Sequence, residues 1–266
     1  MKSSTALAIL ACAVIAAFAT THAHAQAVAS AKATNVVLVH GAWADTSSWA
    51  EVIPYLQAAG IKVTAVNNPL TSLKDSLAAT SRALALQDGP TVLVAHSWGG
   101  TVISELGLDQ KVTALVYIAA YAPDAKEDFV ALSAKFPQEP ARDGIEKHGS
   151  TTKLSEDAFL KYFANGVDAK TAEALYAAQP PTAASLFAAK TTVAAWHRKP
   201  SWYAVSKQDQ TINPELQRFL ARRMGATMVT LDAGHLSLVS HPKEVADLIL
   251  AAAGQTAPGQ TAAGQK

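Results

Sequence analysis

Short, mainly apolar runs punctuate the first half of the chain, and the first three are each followed by a turn and a helical repeat. Residues 35–39, Asn-Val-Val-Leu-Val, end at His40-Gly41. A run without polar alternation predicts a strand buried on both faces, as in a parallel sheet. Residues 61–66, 91–95 and 112–119 predict three further strands. Between them, 49–59 places Val52, Ile53, Leu56 and Ala59 on one helical face and stops at Gly60. Residues 73–86 read as a second helix, ended by Asp88-Gly89-Pro90, and 99–106 as a third. Strand and helix in alternation, with short right-handed connections, predict a sheet covered by helices on both faces.

The alternation breaks at Tyr121. No strand is predicted between 121 and 200, only helical pieces near 127–135, 155–163, 168–177 and 182–196, divided by Pro137, Pro140, Gly166 and Pro180-Pro181. Eighty residues are too many for a plain connection, so this stretch is expected to be a helical cap inserted into the sheet domain. Strands at 201–205 and 226–231, with helices at 214–224 and 242–253, then resume the pattern. The core is thus 35–120 with 201–253. Residues 254–266 lack any aromatic or large aliphatic side chain and are expected to form a disordered tail.

Residues 1–25 read differently. Lys2 precedes fourteen apolar residues at 6–19, and Ala23-His24-Ala25 offers a small-residue cleavage site before Gln26, with Ala25-Gln26-Ala27 as the alternative. These three parts form a secretory signal peptide. The apolar run falls short of the roughly twenty residues a membrane span needs, so no stable membrane insertion is expected after cleavage. A bacterial periplasm or the medium is the expected destination. About 240 residues then remain, enough for one well-buried domain. Cys12, the only cysteine, lies in the leader, which leaves no disulfide and no thiol nucleophile downstream. The net charge is +1 and the basic residues are scattered, with no concentrated positive face for a nucleic acid.

The candidate chemistry centres on Ala95-His96-Ser97-Trp98-Gly99. A serine hydroxyl reacts only when it is exposed, aimed and paired with a base. Ser97 sits where a buried strand turns sharply into a glycine-rich helix start, the nucleophile-elbow pattern, with Ala95 in place of the usual first glycine. Of the histidines in the mature chain, only His235 lies in a loop immediately after a late strand. Asp209 likewise follows a strand edge. The order Ser97, Asp209, His235 is that of α/β-hydrolases and of neither protease family. Asp232, three residues from His235, is the lesser candidate for the acid. The Ala42 and Trp98 amides are the expected oxyanion donors. His40 and His96 read as turn-shaping residues.

These residues resemble the α/β-hydrolase superfamily across nearly all of 35–253. HGAW at 40–43, AHSWGG at 95–100 and GHLSLVSHP at 234–242 look like the small-esterase branch that also holds plant hydroxynitrile lyases and methyl-salicylate-type esterases. The resemblance implies the same triad and oxyanion donors, a cap over 121–200, and no metal or organic cofactor. Gly41 stands where the plant lyases tend to have threonine, and Leu236 where they have lysine near the histidine, which favours ester hydrolysis. Serine rather than aspartate at 97 argues against a haloalkane dehalogenase. The expected substrate is a small apolar or aromatic ester. Trp43, Trp98, Tyr121, Phe129, Phe136, Phe163, Phe187 and Trp196 are candidates to line its pocket. Lactonase, amidase, perhydrolase or lyase chemistry, or a non-catalytic secreted binding protein, stay open on the same scaffold, as does the oligomeric state.

Overall fold

The computed structural model describes residues 32–255. The predicted leader and all of the predicted tail beyond Gln255 lie outside them. The chain runs β1 (Asn35–Val39), α1 (Ile53–Ala58), β2 (Lys62–Val66), α2 (Leu73–Ala85), β3 (Thr91–His96), α3 (Gly99–Leu106) and β4 (Val112–Ile118). The insert carries α4 (Phe129–Ser133), β5 (Ile145–His148), β6 (Thr151–Leu154), α5 (Glu156–Ala158), α6 (Ala169–Ala178) and β7 (Thr182–Ala183). Then come β8 (Ser201–Ser206), α7 (Pro214–Arg223), β9 (Thr227–Leu231), α8 (Ser237–Ser240) and α9 (Pro242–Ala252).

Six strands form one parallel sheet in the order β2-β1-β3-β4-β8-β9. β1 and β3 are buried along their whole length, which is why they read as unbroken apolar runs. The edge strands β2 and β9 are half-exposed and mix polar with apolar residues. Because the chain goes from β1 out to β2 and back to β3, the sheet changes direction between β1 and β3. Open α/β sheets bind ligands at such a switch point, beyond the carboxyl ends of the strands. Val39 pairs with Ala95 and Ser206 with Leu231. These registers bring the turn at 40–43 beside Ser97, and the loop at 207–209 beside the loop at 232–235.

Two stretches differ from the sequence expectation. The helix expected over 49–59 is a 3-10 turn at Thr46–Trp49, capped by Asp45, followed by the short α1. Pro54 in its first turn has no N–H to donate, so the helix cannot extend back through it. The insert contains helices, but it also holds an antiparallel sheet, β5-β6-β7. The hairpin turns at Gly149-Ser150, between paired His148 and Thr151, a two-residue loop of the kind that favours hairpins. The helix expected over 182–196 is instead β7 and two 3-10 turns, Ala184–Ala188 and Ala195–His197. Pro180-Pro181 fixes an extended approach, and Thr191-Thr192-Val193 is β-branched, so neither end favours helix. No described helix is long and apolar enough to cross a membrane.

Candidate active site

Ser97 occupies the sharp turn between β3 and α3 with a φ of 55°, a left-handed backbone that a non-glycine residue adopts at a cost of about 1–3 kcal/mol. Its surroundings hold it there. The Ser97 amide donates to Ile118 O at 3.2 Å, while its carbonyl accepts from Gly100 N at 3.1 Å and Tyr121 N at 3.0 Å. A Cβ on Gly100 would stand 1.8 Å from Tyr121 O, so the approach of the 119–121 strand end requires glycine. Ala95 sits within β3 with no exposure, and the elbow forms with alanine in that place.

Behind the elbow lies a buried acid–base pair. His235 Nδ1 donates to Asp209 Oδ2 at 2.8 Å, with both side chains fully buried. The other carboxylate oxygen accepts the Thr211 and Ile212 amides at 2.7 and 2.9 Å. Since Nδ1 carries the proton toward Asp209, Nε2 is the nitrogen with a free lone pair, and it has no partner among the described residues. Asp232 is exposed and bonds to Gln208 Nε2 and Lys207 Nζ. It shapes the loop and does not reach the imidazole pair. The π-helical turn Phe159–Phe163 of the cap places the Phe163 ring 4.9 Å from that of His235.

The two other buried histidines are structural, as their turns suggest. His40 accepts the Asn68 amide at Nε2 (3.0 Å) and donates from Nδ1 to Gly41 O (3.0 Å). His96 donates from Nε2 to the carbonyl of His235 at 3.1 Å. Burial lowers the pKa of both, and His235 beside His96 lowers the latter further. Both are neutral and hold the loops on which the candidate groups sit.

In front of Ser97 opens a cavity of about 310 Å³, walled by Ala42, Trp43, Trp98, Tyr121, Phe129 and Phe187. The Ala42 and Trp98 amides, the expected oxyanion donors, make no hydrogen bond among the described residues. Tyr121 has its hydroxyl pushed up to about 12 by burial, so it stays protonated. Gln138, Glu139, Arg142 and Asn213 add polar groups to a lining that is otherwise mainly aromatic and aliphatic, which the sequence did not suggest. Burial raises Glu139, which accepts from Asn213 Nδ2 at 2.7 Å.

Three of the aromatics expected in the pocket lie elsewhere. Trp196 is buried against the base of the cap. Its indole donates to Pro123 O at 3.0 Å and its face meets the Arg223 guanidinium, so it joins the two ends of the insert to α7. Phe136 packs on Phe219, and Phe163 packs on His235. Gln217 and Asn165 were not anticipated. Gln217 donates to Asp209 Oδ2 at 2.7 Å, and Asn165 Nδ2 donates to Gln208 O at 2.9 Å. A signal for Gln217 existed: it is a polar residue within the inward stripe Leu216, Leu220, Ala221 of α7.

A sheet with its switch point under a serine elbow, and a buried acid–histidine pair on the neighbouring strand ends, define an α/β-hydrolase scaffold. The chain belongs to the alpha/beta hydrolase family, whose sequence model matches residues 36–248. It is 29% identical over 245 residues to putative methylesterase 19 of Arabidopsis thaliana, covering 79% of this chain and 92% of that protein. Its fold matches polyneuridine aldehyde esterase with a TM-score of 0.72 at 21% identity, over 82% of this chain and 98% of that one. It also matches a pyrethroid hydrolase from Sphingobium faniae JZ-2, with a TM-score of 0.71 at 21% identity, over 86% and 100%.

Proposed function

We propose that the protein is a carboxylic ester hydrolase that works through an acyl-enzyme on Ser97. The observation that carries this reading is the buried His235–Asp209 pair, whose free nitrogen is Nε2. Ser97 attacks the ester carbonyl as His235 Nε2 takes its proton, while Asp209 keeps Nδ1 protonated and stabilises the imidazolium. The Ala42 and Trp98 amides receive the oxyanion, each contributing about 3 kcal/mol to the transition state. The imidazolium then protonates the departing alcohol. Water, activated by the same nitrogen, releases the acid and restores Ser97.

The aromatic cavity fits a small apolar or aryl ester. The relatives named as methylesterase, esterase and pyrethroid hydrolase support an ester as the bond broken. The protein acts after export, once residues 1–25 are removed. A panel of short-chain, long-chain, aryl and lactone esters, assayed beside Ser97→Ala, tests the proposal. Ester turnover that disappears in the variant is the expected result. Turnover retained by Ser97→Ala would overturn it.

A further inference from the structure

Asp209 Oδ2 receives two donors from opposite parts of the fold. One is His235 Nδ1 at 2.8 Å; the other is Gln217 Nε2 at 2.7 Å. Gln217 is wholly buried in α7. Its second amide proton goes to Ile212 O at 2.8 Å, and its Oε1 accepts the Ser206 amide at 2.9 Å. The side chain therefore spans the loop that carries Asp209, holding both its beginning, at the end of β8, and its end. A glutamine that only joined α7 to β8 would need the Ser206 and Ile212 bonds. The contact with the carboxylate oxygen that also holds the imidazole is additional.

We infer that Gln217 is a positioning residue of the hydrolytic site: its amide donor sets the rotation of the Asp209 carboxylate so that Oδ2 faces His235 Nδ1. The inference rests on the ester-hydrolase reading above. With the Thr211 and Ile212 amides on Oδ1 and Gln217 on Oδ2, three donors fix the carboxylate. The fourth direction is left for the imidazole. Three neighbouring bonds pre-organise the acid before substrate binds, so no reorganisation is needed when the imidazolium forms.

Gln217→Glu keeps the shape and the acceptor for Ser206, but puts an oxygen in place of the nitrogen that donates to both Asp209 and Ile212. The loss at Ile212 O is a fixed structural cost, so the pH-dependent part of the effect is what reports the contact with Asp209. When the introduced carboxyl is protonated, its O–H can donate to Asp209 and restore the contact. When it is ionised, two buried carboxylates face each other. Carboxylates sharing a site push one pKa strongly upward, so the change falls within the working pH range. Relative to wild type at the same pH, the activity of Gln217→Glu should fall away on the alkaline side, where its introduced carboxyl ionises. The other titratable groups around Asp209 are His235, Tyr121, Tyr203, Glu139 and, further out, Arg142. All are shared by wild type and variant, so an alkaline fall seen only in Gln217→Glu traces to the introduced carboxyl and the groups coupled to it.

The experiment measures kcat and KM against pH for wild type, Gln217→Glu, Gln217→Met and Ser97→Ala, using one aryl ester. Gln217→Met should lose about 10- to 100-fold in kcat at every pH with little change in KM, the scale of a misplaced catalytic group. A Gln217→Glu profile parallel to wild type on the alkaline side overturns the inference. If Gln217→Glu does not fold, the proton NMR signal of His235 Nδ1–H in Gln217→Met decides. Displacement or loss of that signal supports the role, and an unchanged signal overturns it. Turnover surviving in Ser97→Ala would instead overturn the ester-hydrolase reading, leaving the NMR comparison to judge the Gln217 contact alone. An inactive Ser97→Ala beside a wild-type-like Gln217→Glu would overturn only the positioning role.

Discussion

The amide of Trp43 donates to the side-chain oxygen of Thr182 at 3.1 Å, tying the turn after β1 to a cap strand 139 residues later. Trp43 has a φ of 57°, unusual for so bulky a residue. The cap supplies what holds it there: its indole donates to Thr152 Oγ1 at 3.2 Å, and its ring lies 5.2 Å from that of Phe187. The Trp43 N–H is thus taken up by the cap, while the adjacent Ala42 amide, a proposed oxyanion donor, has no partner among the described residues.

Thr182→Val should therefore do more than loosen the cap. It leaves the buried Trp43 amide without an acceptor, costing about 1–3 kcal/mol of stability. It should also lower kcat on a short ester more than it raises KM, because Ala42 loses its aim. Denaturant titration and steady-state kinetics measure both. Unchanged kcat would separate the cap from the oxyanion turn.

Asp209→Asn tests the tautomer. An asparagine amide can donate to Nδ1, which would leave the proton on Nε2, the wrong nitrogen for a base. The expected loss is about 10⁴-fold in kcat with KM nearly unchanged, as in serine hydrolases where the acid is replaced this way. Single-turnover kinetics at constant pH would show it.

Gly41→Ala addresses the contact between the two strand ends. An added Cβ would lie 2.5 Å from Ser97 Cβ and 2.9 Å from Trp98 N. Ser97, the proposed nucleophile, and Trp98, a proposed oxyanion donor, must both shift. Overpacking costs about 1–3 kcal/mol, while a displacement near 1 Å costs about 10²-fold in rate. Activity should thus fall further than a melting curve would suggest.

The neutral buried histidines set an acid limit on stability. His40 and His96 sit below the ordinary value of 6.5. Below that pH the unfolded chain binds protons that the folded chain refuses, so stability present above about pH 6.5 is lost as the pH falls. The slope is up to about 1.4 kcal/mol per pH unit for each histidine. Melting curves between pH 7.5 and 5.5 should show it, and His96→Gln should make the decline shallower.

The proposed export has a direct readout. Intact-mass measurement of protein from the periplasmic fraction should give a chain beginning at Gln26, or at Val28 if cleavage follows Ala27. A full-length mass with Met1 retained would refute the leader assignment.

Most of the sheet was readable because a parallel strand buried on both faces leaves an uninterrupted apolar run, as in 35–39 and 91–95. The elbow was readable because its short pattern, with small Ala95 and Gly99 two residues either side of Ser97, sits between a buried strand run and a helix start. The cap was harder. Thr151 to Leu154 alternates over only four residues, too short to compete with neighbouring helical repeats, and the Gly149-Ser150 turn is the one local cue to the hairpin. Trp196 shows the limit for aromatics. Its composition suits a pocket equally well, and only the position of Pro123 and Arg223 put it at the cap's base.

The sequence by itself determined the strand order in the chain, the elbow at Ser97 and the order of Asp209 and His235 behind it. These depend on local patterns, on which residue follows which strand. Tertiary structure decided the rest. Sheet register brought 40–43 beside Ser97, and folding of the cap supplied Thr182 and Thr152 to Trp43. The packing of α7 put Gln217 against Asp209. Each of these contacts joins residues that are apart in sequence and carries no local signature, because its energy arises only once the separate segments are buried together.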